Sequence, residues 1–340
     1  MLDPLKTSSY DYDLPNELIA THPVSPADAA RLLVYDRKTQ TITHTTFKSL
    51  MDYLPENLSV FLNDTKVIKA RIFGKKESGG KIELLLNKPL FMDRYLVMTR
   101  GRVKLGTEVF FDKGLMAEVL ELNEDGSRVV KFFKDGKKIE FLELVEILNE
   151  IGHLPLPPYM NREDDKQDEE DYQTLFAKNY GAVAAPTASL HFTQELLQKI
   201  NDKFDVNYLT LHVGAGTFKP VDAVDILSHP MHSEYFEIGI DAKESLDKAS
   251  KVLAVGTTVT RTIEYYARKN MIAGECDLFL NPANKPIKVD HLLTNFHLPK
   301  STLIMLIASF VGLEKTLEIY EEAIKEKYRF FSYGDGMLII

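Results

Sequence analysis

Along the 340-residue chain the apolar positions follow two different periods, and the change of period divides the chain into segments of different architecture. Residues 31–36, Arg-Leu-Leu-Val-Tyr-Asp, form a short apolar run that predicts a strand, and 41–44, Thr-Ile-Thr-His, predicts its partner across a polar turn. A short helix is expected over 47–53. From residue 61 to about 141 the pattern is β throughout. Strands are predicted at 67–73, 81–86, 95–98, 108–111, 116–122 and 129–133, separated by turns such as Ser78-Gly79-Gly80, Glu124-Asp125-Gly126 and Lys134-Asp135-Gly136. No amphipathic helix fits between them, so six short strands at this spacing imply a small barrel or sandwich.

After the proline-rich stretch 152–158, strands and helices alternate. Apolar strands are predicted at 208–213 and 251–255, and helical spacing runs over 194–200, 258–268 and 301–311. The opening sixty residues are too few for a domain of their own. The expectation is therefore an α/β protein whose large mixed domain is formed by both chain ends, residues 1–60 plus 150–340, with a smaller all-β barrel-like domain inserted at 61–149.

Composition adds exclusions. With 44% hydrophobic and 27% charged residues the balance is that of an ordinary globular chain. The single cysteine, Cys276, excludes an internal disulfide and a Cys-rich zinc or iron–sulfur site, and it fits a reducing cytoplasm. The most apolar run, 303–311, is far shorter than the ~20 residues that cross a bilayer, and the N-terminus lacks a signal peptide's apolar core, so neither membrane insertion nor secretion is expected.

The net charge of −9 argues against a nucleic-acid partner only if it is evenly spread. It is not: residues 61–140 hold seventeen Lys and Arg against twelve acids, a surplus of +5 that leaves −14 on the remainder. A basic β-module on an acidic body is either the footprint of a phosphate-bearing partner or a set of Lys-rich surface strands. The segment 162–171, with seven acids in ten residues, is expected to be a solvated loop.

Six segments could carry chemistry. The strand at 208–213 runs into Gly214-Ala215-Gly216-Thr217, where a glycine pair either lets backbone N–H groups approach a ligand or serves a tight turn; His212 and Thr217 favour the ligand. A dinucleotide fingerprint is excluded, because no third glycine follows and Pro220 interrupts. A second strand ends at Val255-Gly256-Thr257-Thr258; Thr258 is expected to cap the helix that carries Arg261 and Glu264, so the helix start would hold an anion, or else Arg261 and Glu264 form a plain surface pair. In His229-Pro230-Met231-His232-Ser233-Glu234 the proline prevents the helical spacing of hydrolytic zinc motifs, which favours acid–base or hydrogen-bonding roles over a metal. Asn295-Phe296-His297 leads to a helix capped by Ser301 and apolar on nearly every face, which must be buried. Lastly, Arg329, aromatic residues and Asp335 crowd a glycine turn at 328–336, while the small-residue stretch 181–192 with His191 is a pocket floor or a tightly packed core.

Taken in order, Tyr12-Asp13-Leu14-Pro15, Ala30-Arg31-Leu32-Leu33, Asn63-Asp64-Thr65-Lys66-Val67-Ile68, Ser78-Gly79-Gly80-Lys81-Ile82-Glu83 and the segments 152–159, 181–192, 212–220, 231–234, 255–258, 294–302 and 327–335 resemble the S-adenosylmethionine:tRNA ribosyltransferase-isomerases of queuosine biosynthesis over essentially the whole length. Ser189 and Pro282-Ala283 depart from that pattern, where the family has glycine. The resemblance implies that the ribosyl part of S-adenosylmethionine, a co-substrate, is transferred to a 7-aminomethyl-7-deazaguanine at the tRNA wobble position. There it rearranges to give epoxyqueuosine, and adenine and methionine are released, with no metal. It further implies that Gly214, Gly216, Thr217, Gly256, Thr257, Thr258 and Arg261 hold S-adenosylmethionine; that His212, Glu234, His297 and Asp335 act in catalysis; and that Lys66, Lys69, Arg71, Lys75, Lys76, His191, Asn295 and Arg329 meet the tRNA or its modified base. A cytoplasmic monomer without a protein partner is expected. An S-adenosylmethionine methyltransferase and a non-catalytic tRNA-binding module are the competing readings.

Overall fold

The computed structural model describes every residue except Met1, Ala215 and residues 217–219. Nine strands form one mixed sheet in the spatial order Ala273–Cys276, Glu234–Ile238, Asp205–Leu211, Ser59–Asn63, Val252–Val255, His291–Asn295, Gly336–Ile339, Arg31–Asp36 and Thr41–Thr46. The four from Asp205–Leu211 to His291–Asn295 are parallel neighbours. Parallel strands must be covered on both faces, and Ser59–Asn63 and Val252–Val255 are buried at every position, as their unbroken apolar runs require. Helix Thr257–Lys269 covers one face with Val259 and Ile263 against Phe61 and Leu209, and helix Gln194–Lys203 covers the other with Leu196 and Ile200 against Val60 and Leu62. The apolar helix Thr302–Val311, capped by Ser301 as the sequence predicts, is buried in a third core with Leu313–Lys325.

The insert is a closed antiparallel barrel of six strands, Arg71–Lys76, Lys81–Leu90, Arg94–Arg100, Ser127–Lys134, Leu115–Leu122 and Glu108–Phe110, the last pairing back with the first. Ile72, Leu84, Val97, Val109, Ala117 and Val130 point inward, and helix Phe141–Ile151 adds Leu144, Val145, Ile147 and Leu148 to the same core. That helix was not expected from the sequence.

Three expectations are corrected. The predicted strand at 67–73 is two pieces: Thr65–Val67 pairs with Asn179–Ala182, and Arg71–Lys76 opens the barrel after a turn in which the Ala70 N–H donates to the Ile68 carbonyl at 2.7 Å. Residues 61–63, placed in the insert, pair within the large sheet. The acidic segment 162–171 is not a free loop. Asp168 is 2% exposed, accepts both guanidinium nitrogens of Arg162 at 2.6 and 2.7 Å and the Tyr333 hydroxyl at 2.8 Å, and so ties the segment to the body.

Candidate functional site

Because four neighbouring strands are parallel, their carboxyl ends leave the sheet along one edge, which is where open α/β sheets hold ligands. His212, Val213 and Gly214 follow Asp205–Leu211; Asp64 and Thr65 follow Ser59–Asn63; Gly256, Thr257 and Thr258 follow Val252–Val255; Phe296 and His297 follow His291–Asn295. The antiparallel neighbours add Glu234, two residues before the Phe236 that faces Leu211, and Asp335, next to the Gly336 that faces Asn295. Asn63 fastens this edge. Fully buried, it donates to the Leu211 carbonyl at 2.9 Å and to Thr258 Oγ1 at 3.3 Å, and accepts the N–H groups of Thr65 and Leu211, both at 3.1 Å.

Two cavities open on the edge. The smaller is lined by Gly256, Thr257, Thr258, Asn295, His297 and Ser332 among others. The larger lies between the sheet edge and the outer wall of the barrel, with His212, Gly214, Gly216 and Glu234 on one side and Arg71, Asn87, Lys88 and Arg100 on the other. The segment 183–185 and the turn after His212 separate them, Val183 and His212 facing the larger and Ala184 and Val213 the smaller. The two glycine turns expected to cradle one ligand therefore open into different cavities. Thr217 lies outside the described residues.

His212 is positioned from two sides. Its Nδ1 lies 2.8 Å from Thr65 Oγ1, and its ring rests against Gly181, whose φ of 153° and missing side chain leave the room: a Cβ there would stand 2.7 Å from the ring. Burial pushes its pKa down to about 4, so at neutral pH it is an uncharged imidazole able to accept a proton. His297 is also buried, with Nε2 2.9 Å from Thr294 Oγ1, and burial pushes it down to about 3. His191 stacks on Phe47 at 4.2 Å and its Nε2 takes a hydrogen bond from Asn295; burial, helped by the charge of Arg329, pushes it down to about 3. It packs inside rather than facing a cavity mouth.

Glu234 is engaged on both oxygens. Oε1 accepts the Gly214 N–H at 2.8 Å, and Oε2 pairs with Arg261, which also donates to the carbonyls of Leu278 at 3.0 Å and Cys276 at 3.1 Å. The expected Arg261–Glu264 surface pair does not form: both are buried, and Glu264 instead pairs with Arg268 and accepts the N–H groups of Ile287, Lys288 and Val289. Nor does Thr258 cap its helix. Gly256, at φ 100°, is the N-cap with no side-chain cap, which leaves the first N–H groups of Thr257–Lys269 at the smaller cavity. Asp335 holds backbone, accepting the Arg31 N–H at 2.9 Å and the Arg329 N–H at 2.7 Å, while Arg329 donates to the His22 carbonyl.

The barrel cations are unequal. Lys69 pairs with Glu169 at 2.8 Å, Arg71 with Glu83 at 2.8 Å and with Glu163 at 2.5 Å, and Lys76 reaches the Arg102 carbonyl at 3.0 Å. Lys66 lies over the Tyr180 ring at 4.7 Å, and Lys75 is exposed. Sequence reasoning gave no role to Asn63, Thr65 or Lys88, which bridges from the barrel to Glu275 at 2.9 Å and to Ser233 Oγ at 3.3 Å. The first two were legible as a polar run directly after an apolar strand. Among the described residues no group of three or more His, Cys, Asp and Glu side chains is placed to hold a metal ion, and no helix is long and apolar enough to cross a membrane.

A family model described as "Queuosine biosynthesis protein" matches residues 7–339. The chain belongs to that family. It is 78% identical over 340 residues, the whole of both chains, to the S-adenosylmethionine:tRNA ribosyltransferase-isomerase of Aliarcobacter butzleri, and 62% identical over the same span to the enzyme so named from Nitratiruptor sp.. The crystal structure of the S-adenosylmethionine tRNA ribosyltransferase from Thermotoga maritima is similar at 35% identity and a TM-score of 0.54, covering 98% of this chain and 100% of that one. Where this chain departs from the family's glycines, Ser189 and Ala283 keep negative φ, so neither substitution strains its turn.

Proposed function

We propose that the protein is a transferase of queuosine biosynthesis that moves the ribosyl part of S-adenosylmethionine onto 7-aminomethyl-7-deazaguanine at the tRNA wobble position and isomerises it to epoxyqueuosine. The observation that carries this reading is the pair of cavities on one sheet edge: a small one at an uncapped helix start and a large one walled by the barrel. The small cavity takes the methionine end of S-adenosylmethionine, with the N–H groups after Gly256 facing its carboxylate and Asn295 beside it. Gly214 and Gly216 serve the junction with the large cavity, which receives the modified base.

His212, neutral and held by Thr65, removes the acidic proton next to the sulfonium. His297 lines the small cavity from the neighbouring strand end and serves the departing adenine. Glu234 and Arg261 fix the turn at Gly214, and Asp335 with Arg329 fixes the chain end against the sheet. Lys66, Lys75 and Lys76 meet tRNA phosphates, with Lys69 and Arg71 joining once their acidic partners are displaced. The barrel, from Arg71–Lys76 to the helix Phe141–Ile151, works as a separate domain on the body formed by both chain ends. The enzyme acts in the cytoplasm, as a monomer and without a metal.

Incubation with S-adenosylmethionine and tRNA carrying the aminomethyl base, followed by mass spectrometry of the small products, tests the reading. Free adenine and methionine are expected. S-adenosylhomocysteine would establish a methyltransferase, and intact S-adenosylmethionine a binding module.

A further inference from the structure

The outer wall of the barrel carries two half-exposed aromatic rings that no core contact explains. Along Arg71–Lys76 the side chains alternate: Ile72 is fully buried inside the barrel, whereas Arg71, Phe73 and Lys75 face outward, with Phe73 48% exposed. On the neighbouring strand Val109 points in and Phe110, 45% exposed, points out opposite Lys75. Phe73 and Phe110 are thus diagonal neighbours, about 7–8 Å apart at the backbone. Arg71 lies over the Phe73 ring at 4.9 Å and His153 meets its edge at 5.4 Å, so this ring is held in place on the strand.

Cations surround the rings. Lys75 faces the exposed Lys81 across the ladder, and Arg100, its side chain 87% exposed, faces Glu83, the register partner of Phe73. The patch is continuous with the substrate cleft, since Arg71, Glu83 and Arg100 line it.

We infer that this wall is a stacking platform for single-stranded nucleotides of the anticodon loop next to the modified base. Resting on the tRNA reading above, the inference assigns the contact to nucleobase faces as well as to phosphates. Flat apolar rings bordered by cations suit unstacked bases and their backbone, and a continuous RNA duplex hides those faces within its stack.

The test is tRNA affinity measured across a salt series for Phe73→Ala, Phe110→Ala, Phe73→Tyr, Lys75→Ala and Lys81→Ala. Each Phe→Ala change is expected to weaken binding by about 5- to 150-fold without altering the salt slope, and Phe73→Tyr to restore it. The lysine changes should lower the slope by about 0.7 each. A fully double-stranded RNA should bind the Phe→Ala variants and the wild type alike. Wild-type affinity in both Phe→Ala variants, or an equal loss on the duplex, would overturn the platform. Thermal unfolding of each variant separates lost stacking from a damaged barrel. Adenine release by the wild type, measured separately, decides the tRNA-modifying reading itself.

Discussion

The buried Glu234–Arg261 pair separates holding the site from doing its chemistry, and substitution can divide the two. The side chains are 7% and 6% exposed. Glu234→Ala leaves a buried guanidinium with only carbonyl acceptors, at a cost of about 3–5 kcal/mol, and strands the Gly214 N–H for about 1–3 kcal/mol more. Against a total stability of about 5–15 kcal/mol such a loss should lower Tm by about 6–11 °C. Glu234→Gln keeps an acceptor for Gly214 and removes only the charge, so its Tm should fall by a few degrees. The double change Glu234→Leu with Arg261→Met removes both charges and should regain most of the stability that the alanine variant loses, because paired apolar side chains replace a buried ion pair at little cost. Differential scanning calorimetry gives the stabilities, and adenine release assayed well below each Tm gives the chemistry. If Glu234 fixes the Gly214 turn, the double variant is stable yet turns over slowly. An alanine variant that melts with the wild type would refute the assigned role of the pair, and full turnover in the double variant would refute its link to the site.

Other consequences are open to direct measurement. His191 and His297 are neutral in the fold, with pKa values near 3 against about 6.5 unfolded, so their stabilisation is complete above pH 6.5 and is lost as pH falls toward 3. Between pH 5.5 and 4.5 each should contribute a slope of about 1.4 kcal/mol per pH unit in urea unfolding; a His297→Asn variant with an unchanged slope would contradict this. Glu163→Gln releases the Nη atoms of Arg71 while Glu83 still holds its Nε, and tRNA binding should tighten several-fold with a salt slope steeper by about 0.7; weaker binding would show that Glu163 is not competing with phosphate. Gly181→Ala drives a methyl group into the His212 ring and should cut turnover at least tenfold while S-adenosylmethionine binding in the other cavity is kept, as isothermal titration would show.

The sequence pattern carried the architecture further than it carried the site. Period-2 runs bounded by glycine turns identify the barrel because each strand has one face in its core, and unbroken apolar runs such as 252–255 mark strands covered on both faces. Helix Phe141–Ile151 was missed because it follows directly on a β texture and packs its apolar stripe into the barrel rather than onto the sheet. At the site, chain position showed that His212 and Gly256 stand at the ends of apolar strands, whereas Glu234 begins a strand that the sequence pattern left unassigned. Partner choice depends on distances that only the fold supplies. Glu264 lies one helical turn from Arg261 but points toward the N–H groups of 287–289, and Arg261 reaches across to Glu234. The acids of 162–171 meet Lys69 and Arg71 from about a hundred residues away, a pairing that charge counting hides.

If the enzyme works as proposed, the ribosyl carbons of S-adenosylmethionine end on the tRNA base, and isotope transfer follows them there. S-adenosylmethionine labelled with carbon-13 at all five ribosyl carbons is incubated with the enzyme and tRNA carrying the aminomethyl base, and the tRNA is digested to nucleosides. All five labels are predicted in one modified nucleoside, with the released adenine unlabelled. Label retained in S-adenosylhomocysteine, or a tRNA that gains only an unlabelled methyl group, would contradict the account.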